Sequence, residues 1–113
     1  MEDCIFCKIA RKEIPTDIRY EDEELIVFPD IKPEAPIHWL IIPKKHLSCL
    51  RDGERSEQLL GRIFAKVADI AELAGIKEDG FRVVVNTGDD GGQTVMHLHA
   101  HLLGGRFMEW PPG

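Results

Sequence analysis

The chain has 113 residues, 43% of them hydrophobic, and a formal net charge of −6. That is enough for a single domain over residues 1–113 with its own core, and the acidic balance excludes a protein that coats a nucleic acid polymer, which needs a basic stripe to displace counterions. No apolar run approaches the roughly 20 residues of a membrane span, and Met1-Glu2-Asp3 lacks the basic start of a signal peptide, so the chain reads as cytoplasmic with no membrane partner.

Cys4-Ile5-Phe6-Cys7 opens the chain. A Cys-x-x-Cys pair in a small cytosolic protein points to metal or redox chemistry; a zinc site needs two further ligands, and the βαβ setting of a redox motif is missing. Ile5, Phe6 and Ile9 give one side of a short helix that Pro15 is expected to end. Ile18 to Tyr20 and Leu25 to Phe28 read as a hairpin around the acidic run Glu21 to Glu24, taken as a solvated turn. Pro29-Asp30-Ile31 and the proline-rich stretch to Pro36 form a loop, in which Asp30 has the features of a turn-maker. Ile37 to Pro43 is the next strand, with His38 as a lone imidazole of core type, and Lys44-Lys45-His46 follows at its exit. Cys49 reads as a small buried apolar group.

From about Glu54 to Gly75, Leu60, Ile63, Phe64, Val67, Ile70, Ala71 and Ala74 recur at three and four, predicting one long helix stopped by Gly75. Phe81 to Asn86 is β-branched and expected to be a central strand. A glycine-rich loop, Thr87 to Thr94, fits either a plain hairpin turn or an anion cradle. The tail Trp110-Pro111-Pro112-Gly113 is stiff and apolar.

The least probable stretch is His97-Leu98-His99-Ala100-His101-Leu102-Leu103, which holds three of the chain's five histidines at alternate positions. On a strand, alternate side chains leave opposite faces, so the imidazoles share one face and Leu98, Ala100 and Leu102 the other. Imidazole can act as nucleophile, as acid or base, or as metal ligand.

This stretch resembles the histidine-triad motif, His-φ-His-φ-His-φ-φ. With Ile37 to His46, Asp89 to Val95 and the terminal Trp-Pro-Pro-Gly, the chain is similar to the Hint-like branch of that family over nearly its whole length. The resemblance implies an α+β fold with a five-stranded antiparallel sheet, one long and one short helix, and a homodimer whose two halves make one ten-stranded sheet. It implies a purine nucleoside phosphoramidase-like hydrolase or nucleotidyl transferase in which His99 attacks the α-phosphorus and forms a nucleotidyl-histidine intermediate. His97 would present a carbonyl to the His99 ring, and His101 would hold a phosphate oxygen or the leaving group. Gly92, Gln93 and Thr94 would supply backbone and hydroxyl donors, with Asn86 close to the phosphate. Asp30 would accept from the ribose hydroxyls, and Ile5, Phe6, Ile9, Phe28 and Ile31 would sandwich the purine base of an AMP- or GMP-type ligand.

In relatives that keep the Cys-x-x-Cys pair, the resemblance implies structural zinc held by Cys4, Cys7, His46 and His97, with His38 just outside those ligands and no organic cofactor. The tail around Trp110 would reach the partner subunit's site. Three alternatives stay open: a dinucleoside polyphosphate hydrolase, a hydrolase using a triad-bound catalytic metal, and a nucleotide-binding regulator of low turnover.

Overall fold

The computed structural model describes residues 3–113. In chain order the elements are α1 (Ile5–Ala10), β1 (Tyr20–Glu21), β2 (Leu25–Pro29), β3 (Ile37–Pro43), α2 (Glu57–Ala74), β4 (Phe81–Val84) and β5 (Ala100–Gly104). The strands form one antiparallel sheet in the order β1-β2-β3-β5-β4. The α+β class, the five strands and the two helices are as the resemblance implied.

Both faces of the sheet are covered, which explains why β2 and β3 read as continuous apolar runs rather than alternating ones. Leu25, Val27, Trp39, Ile41, Ala100 and Leu102 pack under Leu59, Ile63, Val67 and Ile70 of α2. Ile26, Phe28, Leu40 and Ile42 leave the opposite face and meet Phe6 and Ile9 of α1. Helix α2 begins where the Ser56 hydroxyl accepts from the Leu59 N–H at 3.1 Å. It ends at Gly75, whose left-handed backbone lets the N–H of Ile76 reach back to the Ala71 carbonyl at 3.0 Å.

Four expectations are corrected. Strand β4 lies at the edge of the sheet, pairing only with β5, and is half-exposed along its length; its β-branched residues mark a strand that packs on one side. Helix α1 stops at Ala10, well before Pro15, because Lys12 takes a left-handed backbone and Glu13 N–H closes back onto the Lys8 carbonyl. The acidic run is more than a solvated turn: Glu21 joins Lys12 at 2.8 Å and Lys44 at 2.6 Å, pairings that hold its carboxyl below the usual range. Asp22 accepts from the N–H groups of Glu24 and Leu25, both at 2.8 Å, and so forms the hairpin itself.

The fourth correction concerns the triad strand, whose ladder starts at Ala100 and so leaves His97 and His99 ahead of it. The cause is Pro43, which lacks an N–H to continue the pairing and gives its carbonyl to the His97 ring at 2.8 Å. Leu98 N–H turns instead to the Leu47 carbonyl at 2.6 Å. The alternation survives, since Leu98, Ala100 and Leu102 all enter the core under α2.

At the far end of β5, Gly104 pairs with Ile37 and Phe81 while its α-carbon faces Ile76. A Cβ there would come within 2.5 Å of Ile76 Cδ1 and 3.1 Å of its Cβ. Gly104→Ala is therefore expected to lose about 1–3 kcal/mol of stability through overpacking, read from urea unfolding at fixed pH.

Candidate active site and metal centre

The site lies on the α1 side of the sheet, and its geometry is set by hydrogen bonds that fix each imidazole's tautomer. His99 is buried, and its Nδ1 sits 2.6 Å from the His97 carbonyl. A carbonyl only accepts, so Nδ1 carries the hydrogen and Nε2 keeps a free lone pair. Phe6 meets the His99 ring edge-on with centroids 5.1 Å apart, and meets His97 at 5.8 Å.

His38 has the opposite tautomer. Its Nδ1 accepts from the Glu34 N–H at 3.0 Å, so the proton is on Nε2, which lies 2.8 Å from His101 Nδ1. His101 must then accept at Nδ1 and hold its own proton at Nε2. The Asp30 carboxylate is 3.4 Å from His38 Nε2 and takes the Lys32 N–H on its other oxygen at 2.8 Å. His38 thus belongs with Asp30 and His101, away from the cysteines.

Burial, reinforced by the positive charge that His99 or His38 would carry, pushes the His101 imidazole down to about 4; Asp30 opposes the shift only in part. His38 is lowered as well, with burial outweighing Asp30 and Glu34. Burial likewise carries His97 down to about 4. All three are neutral at physiological pH, and neutral imidazole is the form able to accept a proton, attack or ligate.

The second cluster is Cys4, Cys7, His46 and His97, whose donor atoms lie within 4.8 Å of one another. His97 donates through Nε2 to Pro43, leaving Nδ1 aimed at Cys4 Sγ at 3.3 Å and Cys7 Sγ at 3.6 Å. His46 Nδ1 is 3.2 Å from Cys7 Sγ. Ligands around tetrahedral zinc stand about 3.5 Å apart, so the Cys₂His₂ set fits that ion. Burial and the adjacent Cys4 push the Cys7 thiol up, a shift that a bound cation would reverse. The two clusters meet at His97, whose ring faces the cysteines while its carbonyl holds His99.

Of the residues expected around a nucleotide, Phe6, Ile9 and Phe28 are brought together and buried, with Phe6 and Phe28 in edge contact at 5.5 Å. Ile5 is half-exposed and Ile31, at 93% exposure, stands in solvent beside Asp30. In the glycine-rich loop, Gly92 N–H bonds the Asp89 carbonyl and Gln93 N–H the Gly88 carbonyl, each at 3.0 Å. The Gln93 side chain is a brace: its amide donates to the carbonyls of Ser48 at 2.8 Å and Val95 at 3.0 Å and accepts from Gly88 N–H. The donors expected from Gly92 and Gln93 are therefore used inside the loop, and Thr94 lines an open cleft with Cys4, Ile5, His46, Val95 and Met96. Asn86 follows β4 and is half-buried. Cys49 is buried, as expected, and accepts from the Arg51 N–H at 3.4 Å, which lowers its thiol.

Three contributors were not anticipated: the carbonyl of Pro43, the N–H of Glu34 and Arg106, which reaches the Glu34 carbonyl at 2.9 Å. Main-chain groups carry no residue-type signal, and Arg106 becomes visible only when the end of β5 is laid beside the proline-rich loop.

Among the described residues, no helix is long and apolar enough to cross a membrane. Residues 11–108 match the HIT domain. An uncharacterised HIT-like protein of Synechococcus elongatus is 52% identical over 113 residues, covering 99% of this chain and 98% of its own. Protein HitA of Neisseria gonorrhoeae is 50% identical over 105 residues, covering 92% and 97%. Among solved structures, a HIT family hydrolase from Legionella pneumophila superposes with a TM-score of 0.93 at 47% identity, covering 98% of this chain and 100% of that one. A histidine triad protein from Clostridium difficile gives 0.92 at 44% identity, covering 96% of each. With the triad, the sheet and these similarities in agreement, the chain belongs to the HIT family.

Proposed function

We propose that the protein is a nucleotide hydrolase or nucleotidyl transferase of the Hint-like type, acting on purine nucleoside 5′-phosphoramidates through His99. The observation that carries this reading is the 2.6 Å contact of His99 Nδ1 with the His97 carbonyl, which leaves Nε2 as a lone pair fixed in direction. Nε2 attacks the α-phosphorus as the P–N bond breaks, the departing amine takes a proton from solvent, and His101 Nε2–H donates a hydrogen bond to the phosphoryl group. Water then attacks the nucleotidyl-histidine, its proton passes to solvent, and the monophosphate leaves with His99 restored.

The hydrogen bond from His38 holds His101 in the tautomer this step requires. Asp30 accepts from the ribose hydroxyls, while exposed Ile31 and half-exposed Ile5 provide apolar surface for the base beside buried Phe6 and Phe28. Thr94 contributes a hydroxyl for phosphate. Zinc held by Cys4, Cys7, His46 and His97 would be structural: four protein donors would leave no open position, and the shared ligands would tie α1 to the triad segment.

A homodimer is part of the proposal. It is supported by the open edge of β4 and by exposed Phe64, at 51%, on α2. Trp110, beyond β5 and 79% exposed, is the tail residue set to meet the partner's site.

His99→Ala is expected to reduce turnover of adenosine 5′-phosphoramidate by at least on the order of a thousandfold while AMP still binds; retained turnover overturns the mechanism. Metal analysis of protein purified without chelator should find about one zinc per chain. Cys4→Ser should lose it, and chelation should lower the melting temperature before it slows turnover.

Stability should also depend on pH. His101 titrates at about 4 in the folded chain and at about 6.5 when unfolded, so the unfolded chain takes up the proton first as pH falls. Stability is full above about pH 6.5 and declines toward pH 4. Urea unfolding between these limits should show that decline, and His101→Gln should make it shallower.

A further inference from the structure

The His38–His101 pair depends on a proton pattern that begins outside both rings, at the Glu34 N–H. Glu34 lies in the 30–36 loop, where residues 31–34 are exposed and no strand ladder holds them. The loop's internal restraint is the Asp30 carboxylate accepting from Lys32 N–H, and Asp30 N–H meets the His38 carbonyl at 2.9 Å, both at the loop's start. Nothing in either bond fixes the peptide at Glu34.

The other peptide of Glu34, the one that carries its carbonyl, is held from the end of β5. The Arg106 guanidinium bridges two main-chain carbonyls, that of Glu34 at 2.9 Å and that of Phe107 at 3.1 Å. The preceding residue makes the reach short: Gly105 sits so close to the loop that a Cβ there would lie 2.8 Å from Pro36 Cβ. Ile37 is paired with Gly104, so the loop's exit, the end of β5 and Arg106 form one corner. A planar guanidinium with its two donors on two carbonyls resists rotation more than a single contact would.

We propose that Arg106 is a positioning residue for the reaction: by holding the Glu34 carbonyl it keeps the Glu34 N–H on His38 Nδ1, and so fixes the tautomers of His38 and His101. If the loop drifts, His38 Nδ1 loses its donor and the ring can carry its proton at Nδ1. Its Nε2 then faces His101 Nδ1 as a second acceptor, and one of the two rings must turn or change tautomer. Arg106 touches neither substrate nor the reacting atoms. The effect on rate rests on the role given to His101 above; the effect on tautomer does not.

The test is ¹⁵N NMR of the imidazoles near pH 7.5 together with steady-state kinetics. Wild type should show His38 wholly as the Nε2–H tautomer. In Arg106→Ala, the Nδ1 and Nε2 shifts of His38 should move toward one another as tautomers mix. Turnover should fall about tenfold while AMP affinity stays within about twofold. Arg106→Lys, which restores one donor, should recover both the tautomer and most of the rate. Arg106→Met keeps the aliphatic stem and replaces the alanine variant if that fails to fold.

A His38 that stays wholly Nε2–H without the guanidinium overturns the proposal, as does a rate loss with unchanged tautomers or a lysine variant that restores neither. If His99→Ala retains turnover, the reading of the reaction fails, and the tautomer measurement still decides the role of Arg106.

Discussion

The site depends on main-chain groups that dictate where each imidazole carries its hydrogen. Pro43 offers a carbonyl to His97, His97 offers one to His99, and Glu34 offers an N–H to His38. Imidazole is chemically symmetric enough that its two tautomers differ little in free energy by themselves. A single backbone hydrogen bond therefore decides which nitrogen is basic. The same residue type thereby presents a lone pair at Nδ1 in His97, a lone pair at Nε2 in His99 and a hydrogen at Nε2 in His101.

His97 is where these demands meet. Its ring closes the Cys₂His₂ set and its carbonyl orients His99, so the candidate metal site and the His99 imidazole are joined by one residue. The α1 segment completes the arrangement. Its Cys4 and Cys7 face His97 and His46, and Phe6, between them in sequence, packs edge-on against both His97 and His99. A helix of six residues could not hold that position by its own propensity; packing on Ile26, Phe28, Leu40 and Ile42 does so.

Much of this was legible in the sequence because side-chain identity carried it. The alternating histidines, the Cys-x-x-Cys pair and the helical stripe from Leu60 to Ala74 each announce a geometry by spacing alone. What was not legible lay in main-chain groups and in register. The edge position of β4 depends on which strand fills the place beside β3, and valines do not encode that choice. The early end of α1 rests on one left-handed residue, Lys12, a type that gives no warning. His38 read as a core residue or, by the resemblance, as a site residue beside the zinc ligands, because its partnership with His101 appears only once Leu40 is paired with His101 across the sheet. That the Gln93 side-chain amide braces three backbone groups is likewise visible only in the folded loop.

The strand that bears the histidines is fastened on its other face by Leu98, Ala100 and Leu102, all of them almost wholly buried beneath α2. Each imidazole therefore sits one peptide away from an anchor in the close-packed core. Moving a ring by an ångström would require an aliphatic neighbour to leave its seat, and such interiors do not yield continuously. The protein in effect uses its hydrophobic core as the bench on which its chemistry is clamped. Stiffness at the reacting atoms is a by-product of the same packing that keeps the chain folded.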